Sequence, residues 1–327
     1  MKKKLIILLT AFLMTGCFNK GNNDVVKELN KKVDGLNSYY IKGELEIINN
    51  EDNYTYDVEV SYQKEDNFKV NLVNKTNNHE QIILKNSEGV YLLTPSLNKS
   101  FKFQSDWPYN NSQIYLLQTL VKDIKNDEEK IVEEINDGYK ITTSVNYANN
   151  RNLTKQYIYI DKKGDIKSVE ILNDNNIIKM KMTFSKIDLS ATYKDDYFDL
   201  NKNMKNVELE KTSKQIEDII YPMYMPENTY LKSQDTINVN DGERVILTFA
   251  GEKPFTLIEQ TVDVTDEYEM TMVYGDPEIL LDTIGSITTN SVNFISNGIE
   301  YYAVSEVLDQ KQLLEVVNSI SVLPVGK

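Results

Sequence analysis

Between residues 39 and 103 apolar and polar positions alternate in short runs. Tyr56, Val58, Val60 and Tyr62 fall on one face while Asp57, Glu59 and Ser61 fall on the other. A period of two predicts a half-buried strand. Further runs at Phe68-x-Val70-x-Leu72, Ile82-x-Leu84, Val90-x-Leu92 and Phe101-x-Phe103 are separated by breaks rich in Asn, Asp and Gly, which predicts an antiparallel meander. The period lengthens on both sides of this region. Behind Asp24, a capping residue, Val25, Leu29, Val33 and Leu36 stand near helical spacing, and Ile114, Leu117, Leu120, Val121 and Ile124 form a second stripe that predicts a helix over 111–124. Strand patterns resume at 140–147, 155–160, 166–172 and 178–184. The stretches Asp161-Lys162-Lys163-Gly164-Asp165 and Asn173-Asp174-Asn175-Asn176 supply hairpin turns.

The stretch 195–213 is charged and Asn-rich without a sustained period, and is expected to be a junction. A smaller unit follows it. It holds the Pro-punctuated Tyr221-Pro222-Met223-Tyr224-Met225-Pro226, strands at 244–249 and 255–264, and a hairpin over 291–305 turning at Asn297-Gly298. That dipeptide suits a type I′ turn, whose two central residues both need positive φ. Leu308, Leu313, Val316, Val317 and Ile320 predict a terminal helix. The fold class expected is α+β: a large curved antiparallel sheet with covering helices, then a small C-terminal α+β domain.

The first residues change the picture. Lys2, Lys3 and Lys4 precede an apolar run from Leu5 to Met14 that ends in Met14-Thr15-Gly16-Cys17. The run is too short to cross a hydrocarbon core of about 30 Å and has the grammar of a secretory signal peptide with a lipoprotein cleavage site. Residues 1–16 are expected to be removed, Cys17 acylated and 17–23 left as a tether, with domains at 24–205 and 214–327. The alternative is an ordinary signal peptide cut nearby, with Cys17 incidental. Acylation would fix the protein at the outer face of a bacterial cell membrane, since two or three acyl chains bind a bilayer far more firmly than one. Cys17 is the only cysteine, so no thiol then remains for a disulfide, a zinc site or nucleophilic catalysis.

Charge and candidate chemistry narrow the function. Without Lys2, Lys3 and Lys4 the basic residues number 33 against 50 acids, a net charge of −17, which disfavours nucleic acid. His79, the only histidine, lies in the polar turn Asn77-Asn78-His79-Glu80 and is expected to be solvated. No Gly-x-Ser-x-Gly elbow accompanies it. Adjacent acids such as Asp195-Asp196 and Glu128-Glu129 are expected at caps and turns, in preference to glycoside hydrolysis. The loop 161–165 lacks the ligand spacing of a calcium loop, and no phosphate-binding Gly-rich loop appears. A non-enzyme with no metal and no cofactor is expected. The 21 tyrosines fill the core, or form an apolar pocket or a protein-docking face.

Leu36-Asn37-Ser38-Tyr39-Tyr40-Ile41-Lys42-Gly43 and Ser87-Glu88-Gly89-Val90-Tyr91-Leu92-Leu93-Thr94-Pro95, with the order of elements over 24–200, resemble the LolA-type lipoprotein-carrier superfamily of unclosed half-barrels. The 221–226 segment and the hairpin-plus-helix ending in Leu314-Glu315-Val316-Val317-Asn318-Ser319-Ile320 are similar to the YdcC-type sporulation lipoproteins and, more loosely, to the germination lipoprotein GerS. The resemblance implies a concave apolar face, lined by Tyr56, Val58, Val60, Phe68, Val70 and Phe103, with helix 111–124 as its plug or gate. It also implies an envelope protein as partner, such as a cell-wall amidase in sporulation or germination, and a spore-associated location. The alternative it leaves is a carrier of lipid or lipoprotein, holding acyl chains as a hydrophobic ligand in the concave sheet.

Overall fold

The computed structural model describes residues 22–49, 52–205, 208–239 and 242–320. Residues 1–16, Cys17 and the tether as far as residue 21 lie outside the described residues.

Helix α1 (Asn22–Asp34) turns Val25, Val26, Leu29 and Val33 inward, and Leu36 packs on the same core just past its end. Strands β1 (Ser38–Asn49), β2 (Asp52–Gln63), β3 (Asn67–Asn74), β4 (Glu80–Asn86), β5 (Gly89–Thr94) and β6 (Lys99–Phe103) form one meander. After α2 (Leu117–Asn126), strands β7 (Ile131–Ile135), β8 (Gly138–Ser144), β9 (Leu153–Asp161), β10 (Ile166–Asn173) and β11 (Ile178–Asp188) form a second. β11 pairs antiparallel with β1 and joins the two meanders. Where they meet, Gly43 stands at a break in register, and a Cβ there would lie 2.3 Å from the carbonyl oxygen of Thr183.

The alternation seen in the sequence becomes a row across the sheet. Ile41 pairs with Val60, Val60 with Val70, Val70 with Ile83 and Ile83 with Leu92, and all five are buried. Burying a side chain of this size contributes about 1.5–3 kcal/mol, which fixes the register because a one-residue slip would turn the whole row outward. On β4 and β5 the opposite face is also buried: Ile82, Leu84, Tyr91 and Leu93 pack under Phe198, Leu200 and Met204, which lie in or beside α3 (Leu200–Asn203). These two strands therefore read as almost continuous apolar runs.

The sheet has twelve strands and its ends do not meet. One edge is β7, and the other is β15 (Glu269–Val273), which lies parallel on β6. The second sheet has seven strands. Its order is β12 (Thr229–Val239), β13 (Gly242–Gly251), β14 (Phe255–Thr261), β19 (Ile299–Val304), β18 (Ser291–Ser296), β17 (Ile284–Ile287) and β16 (Asp276–Ile279). Asn297 and Gly298 have φ of 50° and 75°, the turn expected of them. α4 (Gln310–Asn318), capped by Asp309 through the N–H of Gln312, packs Leu313, Leu314, Val316 and Val317 into this second core with Ile216, Ile219 and Ile220 from the segment before β12. The two sheets are tied together. Leu281 and Ile284 enter the first core, and the Tyr56 hydroxyl donates to the Leu281 carbonyl at 3.0 Å.

The fold class is thus α+β with open sheets, as the pattern of periods implies. Two elements depart from expectation. The second helix starts at Leu117, not at residue 111, because Asn111 and Ser112 are bonded to the chain beyond β8: Ser112 N–H donates to Asn146, and Asn111 Oδ1 accepts from Ala148 N–H. The stretch 195–213, expected to be a plain junction, contains α3 and covers the reverse face of the sheet.

Candidate functional site

The six residues expected to line a concave cavity do share one face. Val58, Val60, Phe68 and Val70 are completely buried, and Tyr56 and Phe103 are only 2% and 4% exposed. α1, α2 and the segment carrying Trp107, Ile114, Tyr115 and Leu116 are packed into the same core. Phe68 meets Trp107 edge-on, with ring centroids 5.9 Å apart, and Tyr62 stacks between Phe68 and Tyr39. The Tyr39 hydroxyl donates to Gln118 on α2 at 2.6 Å, and burial pushes its pKa upward, so it remains a neutral donor at any physiological pH. α2 is therefore bonded to the sheet as well as packed on it. Space for an acyl chain on this face would require α2 to leave.

A second apolar stripe on the same sheet is uncovered. Tyr268, Met270, Met272 and Tyr274 lie along β15 and its flanks at alternate positions and are 36%, 41%, 55% and 72% exposed. Met270 and Met272 stand in register with Ser100 and Lys102 of β6. Lys102 lies over the Tyr91 ring, which belongs to the reverse-face cluster, so the stripe looks away from α1 and α2. Its ends are held in place. Lys99 pairs with Glu269, Asn98 accepts the Glu269 N–H at 2.8 Å, and the Tyr268 hydroxyl donates to Asn201 of α3; at the other end the Val273 carbonyl accepts from Gln104 N–H at 3.4 Å. The far side of β15 pairs with no strand among the described residues, which leaves backbone donors and acceptors at an edge. Sequence reasoning assigned no element here, although Tyr-x-Met-x-Met-x-Tyr over 268–274 is itself a period of two.

No family model matches the chain. The sporulation protein YdcC of Bacillus subtilis (strain 168) is 32% identical to it over 98% of this chain and 97% of its own length. The chain belongs to the YdcC family of sporulation proteins. Among solved structures it is similar to the MucA/MucB complex of Pseudomonas aeruginosa, with a TM-score of 0.33 and 12% identity, covering 92% of this chain and 98% of that one. The GerS lipoprotein complex with the CwlD amidase of Clostridioides difficile aligns with a TM-score of 0.23 and 17% identity, covering 54% and 98%. A LolA superfamily protein from Nitrosomonas europaea aligns with a TM-score of 0.31 and 10% identity, again covering 54% and 98%.

Elsewhere in this family member two buried or half-buried ionisable groups, His79 and Glu259, lie at contacts between segments. His79 is not solvated as expected: its side chain is 12% exposed, and Nδ1 lies 3.6 Å from Glu210. That contact holds the Glu210 carboxyl below the usual carboxylate range and ties the chain ahead of the second sheet to the β3–β4 turn. Glu259, on β14, is fully buried in an apolar row opposite Tyr301. Burial pushes its carboxyl up to about 7, and among the described residues its hydrogen-bond partner is the Ile220 N–H, at 3.0 Å.

Proposed function

We propose that this chain is a non-enzymatic envelope protein, anchored by acylated Cys17 to the outer face of the cell membrane, that holds a protein partner during sporulation. The observation that carries this reading is the uncovered Tyr268-Met270-Met272-Tyr274 stripe on the edge strand β15. Thioether and phenol side chains adapt to a protein surface at low entropic cost, and a free edge accepts an added strand. Membership of a sporulation family supports the timing, and the Lys-apolar-Gly-Cys pattern at residues 2–17 supports the anchor. The partner proposed is a cell-wall amidase, the class that the resemblance to GerS implies. The carrier reading has less in its favour, because the face that would hold acyl chains is filled by side chains of α1 and α2.

Affinity purification of the full chain from sporulating cells is expected to recover a wall amidase, and Met270→Glu with Met272→Glu is expected to abolish the recovery. Equal recovery by the double variant would contradict the reading. Fatty acid label is expected in the wild type and not in Cys17→Ala; label in both would refute the anchor.

A further inference from the structure

A cleft of about 390 Å³ opens where α4 of the second sheet faces the turn ends of the large sheet. Its size is at the lower end of ligand pockets, which run from about 300 to 1,000 Å³. α4 presents Lys311, Leu314, Glu315 and Asn318 to it, four positions that fall on one helical face. Opposite them stand Lys179 at the start of β11 and Glu278 on β16, while Leu153, Leu281 and Leu314 form an apolar floor.

The polar groups are unevenly satisfied. Asn318 Oδ1 is shielded from solvent and accepts no hydrogen bond among the described residues. The Glu278 carboxylate accepts one bond, from Asn149 Nδ2 at the long distance of 3.5 Å, and Asn149 is itself held by Gln310 at 3.2 Å. Burial pushes the Glu278 carboxyl up to about 7, the response of a carboxylate enclosed without a cation. Two acceptors in one cleft thus have no positively charged donor among the described residues. On the other side of the balance, Lys179 and Lys311 form no ion pair among the described residues, either with Glu278 or with Asp174 and Glu315, the other acids that line the cleft. Among the described residues, then, two cations at the cleft have no ion-pair partner.

We infer that this cleft binds a small zwitterion, a free amino acid or a dipeptide, with its ammonium on Glu278 and Asn318, its carboxylate on Lys179 and Lys311, and an aliphatic side chain on the leucine floor. A simple anion would leave the two acceptors unserved, and a simple cation would leave the two lysines unserved. Since the walls of the cleft come from both sheets, its occupant would also brace one sheet against the other.

The test is calorimetric titration of the full chain with alanine, alanyl-alanine, N-acetyl-alanyl-alanine and alanyl-alanine amide. Saturable one-site binding of alanine or the free dipeptide is expected, weakened about tenfold or more by blocking either end, since each block removes a charge-assisted contact. Glu278→Gln is expected to weaken the free dipeptide about tenfold while leaving the acetylated form unchanged, and Lys311→Met to do the converse for the amide. Lys311 is exposed on α4, so this arm survives if Glu278→Gln fails to fold. Absence of saturable binding to alanine and the free dipeptide, or binding indifferent to the blocking groups and to Lys311→Met, would overturn the inference.

Discussion

On β2, Tyr56, Val58, Val60 and Tyr62 alternate with polar residues and are buried; on β15, Tyr268, Met270, Met272 and Tyr274 stand at the same two-residue spacing, between Glu269, Thr271 and Val273, and remain open. The two stripes belong to one sheet and differ in what lies above them. α1 and α2 cover the first, with Trp107 wedged against Phe68, whereas α3 reaches the second at Tyr268 and leaves Met270, Met272 and Tyr274 exposed. The lesson is that a period of two sets which side chains share a face, and only a third layer decides whether that face is a core. A covered stripe contributes stability, and an uncovered one costs little stability to alter and is available to a partner.

The comparison can be broken most forcefully at Val60, which sits at the centre of the covered row. Val60→Asp places an unpaired carboxylate between Val70 and Ile41 and should cost more than about 4 kcal/mol in urea unfolding, enough to threaten folding itself. Phe68→Ala, which removes a ring from the Tyr62–Trp107 stack, should cost about 3–5 kcal/mol in the same measurement.

The second sheet sharpens the point with a pH dependence. Glu259 stands in a covered row, and its folded-state pKa is raised to about 7 from the 4.5 usual for the side chain. The folded state keeps a proton that the unfolded chain releases above pH 4.5, so its contribution to stability is complete below that pH and is lost as pH rises towards 7. Glu259→Gln does not titrate and should gain on the wild type by about 2–3 kcal/mol between pH 4.5 and pH 7.5, read from urea midpoints. A constant difference across that range would show that the proton is not held. The smallest effect belongs to the open stripe: Met270→Ser with Met272→Ser should shift unfolding by no more than about 0.5 kcal/mol.

Much of the fold was legible because periodicity and turn chemistry agreed. Val25, Leu29 and Val33 marked α1, the Tyr56 to Tyr62 alternation marked β2, and Asn297-Gly298 marked the β18–β19 turn. What the residues lacked was any sign of the covering layer. The start of α2 depends on bonds from Asn111 and Ser112 to residues 146–148, which local spacing does not register. α3 is a single turn whose role comes from Phe198 and Met204 on its flanks, so no helical period announces it. β12 was missed because nine of its eleven positions are exposed, Tyr230, Leu231 and Ile237 among them, which gives an edge strand without an alternating face. The candidate site followed the same rule. The six residues expected to line a cavity share one face, and their enclosure by α1 and α2 arises from contacts far apart in the chain. The Met and Tyr stripe had the right alternation and went unassigned because it is isolated from other strands in sequence and pairs in parallel with β6.

The central claim is that the sheet edge carrying Met272, and not the opposite edge at β7, meets a partner. Site-specific photo-crosslinking in sporulating cells tests it directly, with the photoreactive residue placed at 272 on β15 or at 131 on the opposite edge strand β7, where Ile131 is equally exposed. The account predicts an adduct with an envelope protein from position 272 and none from position 131. No adduct from 272, or the same adduct from both edges, would contradict it.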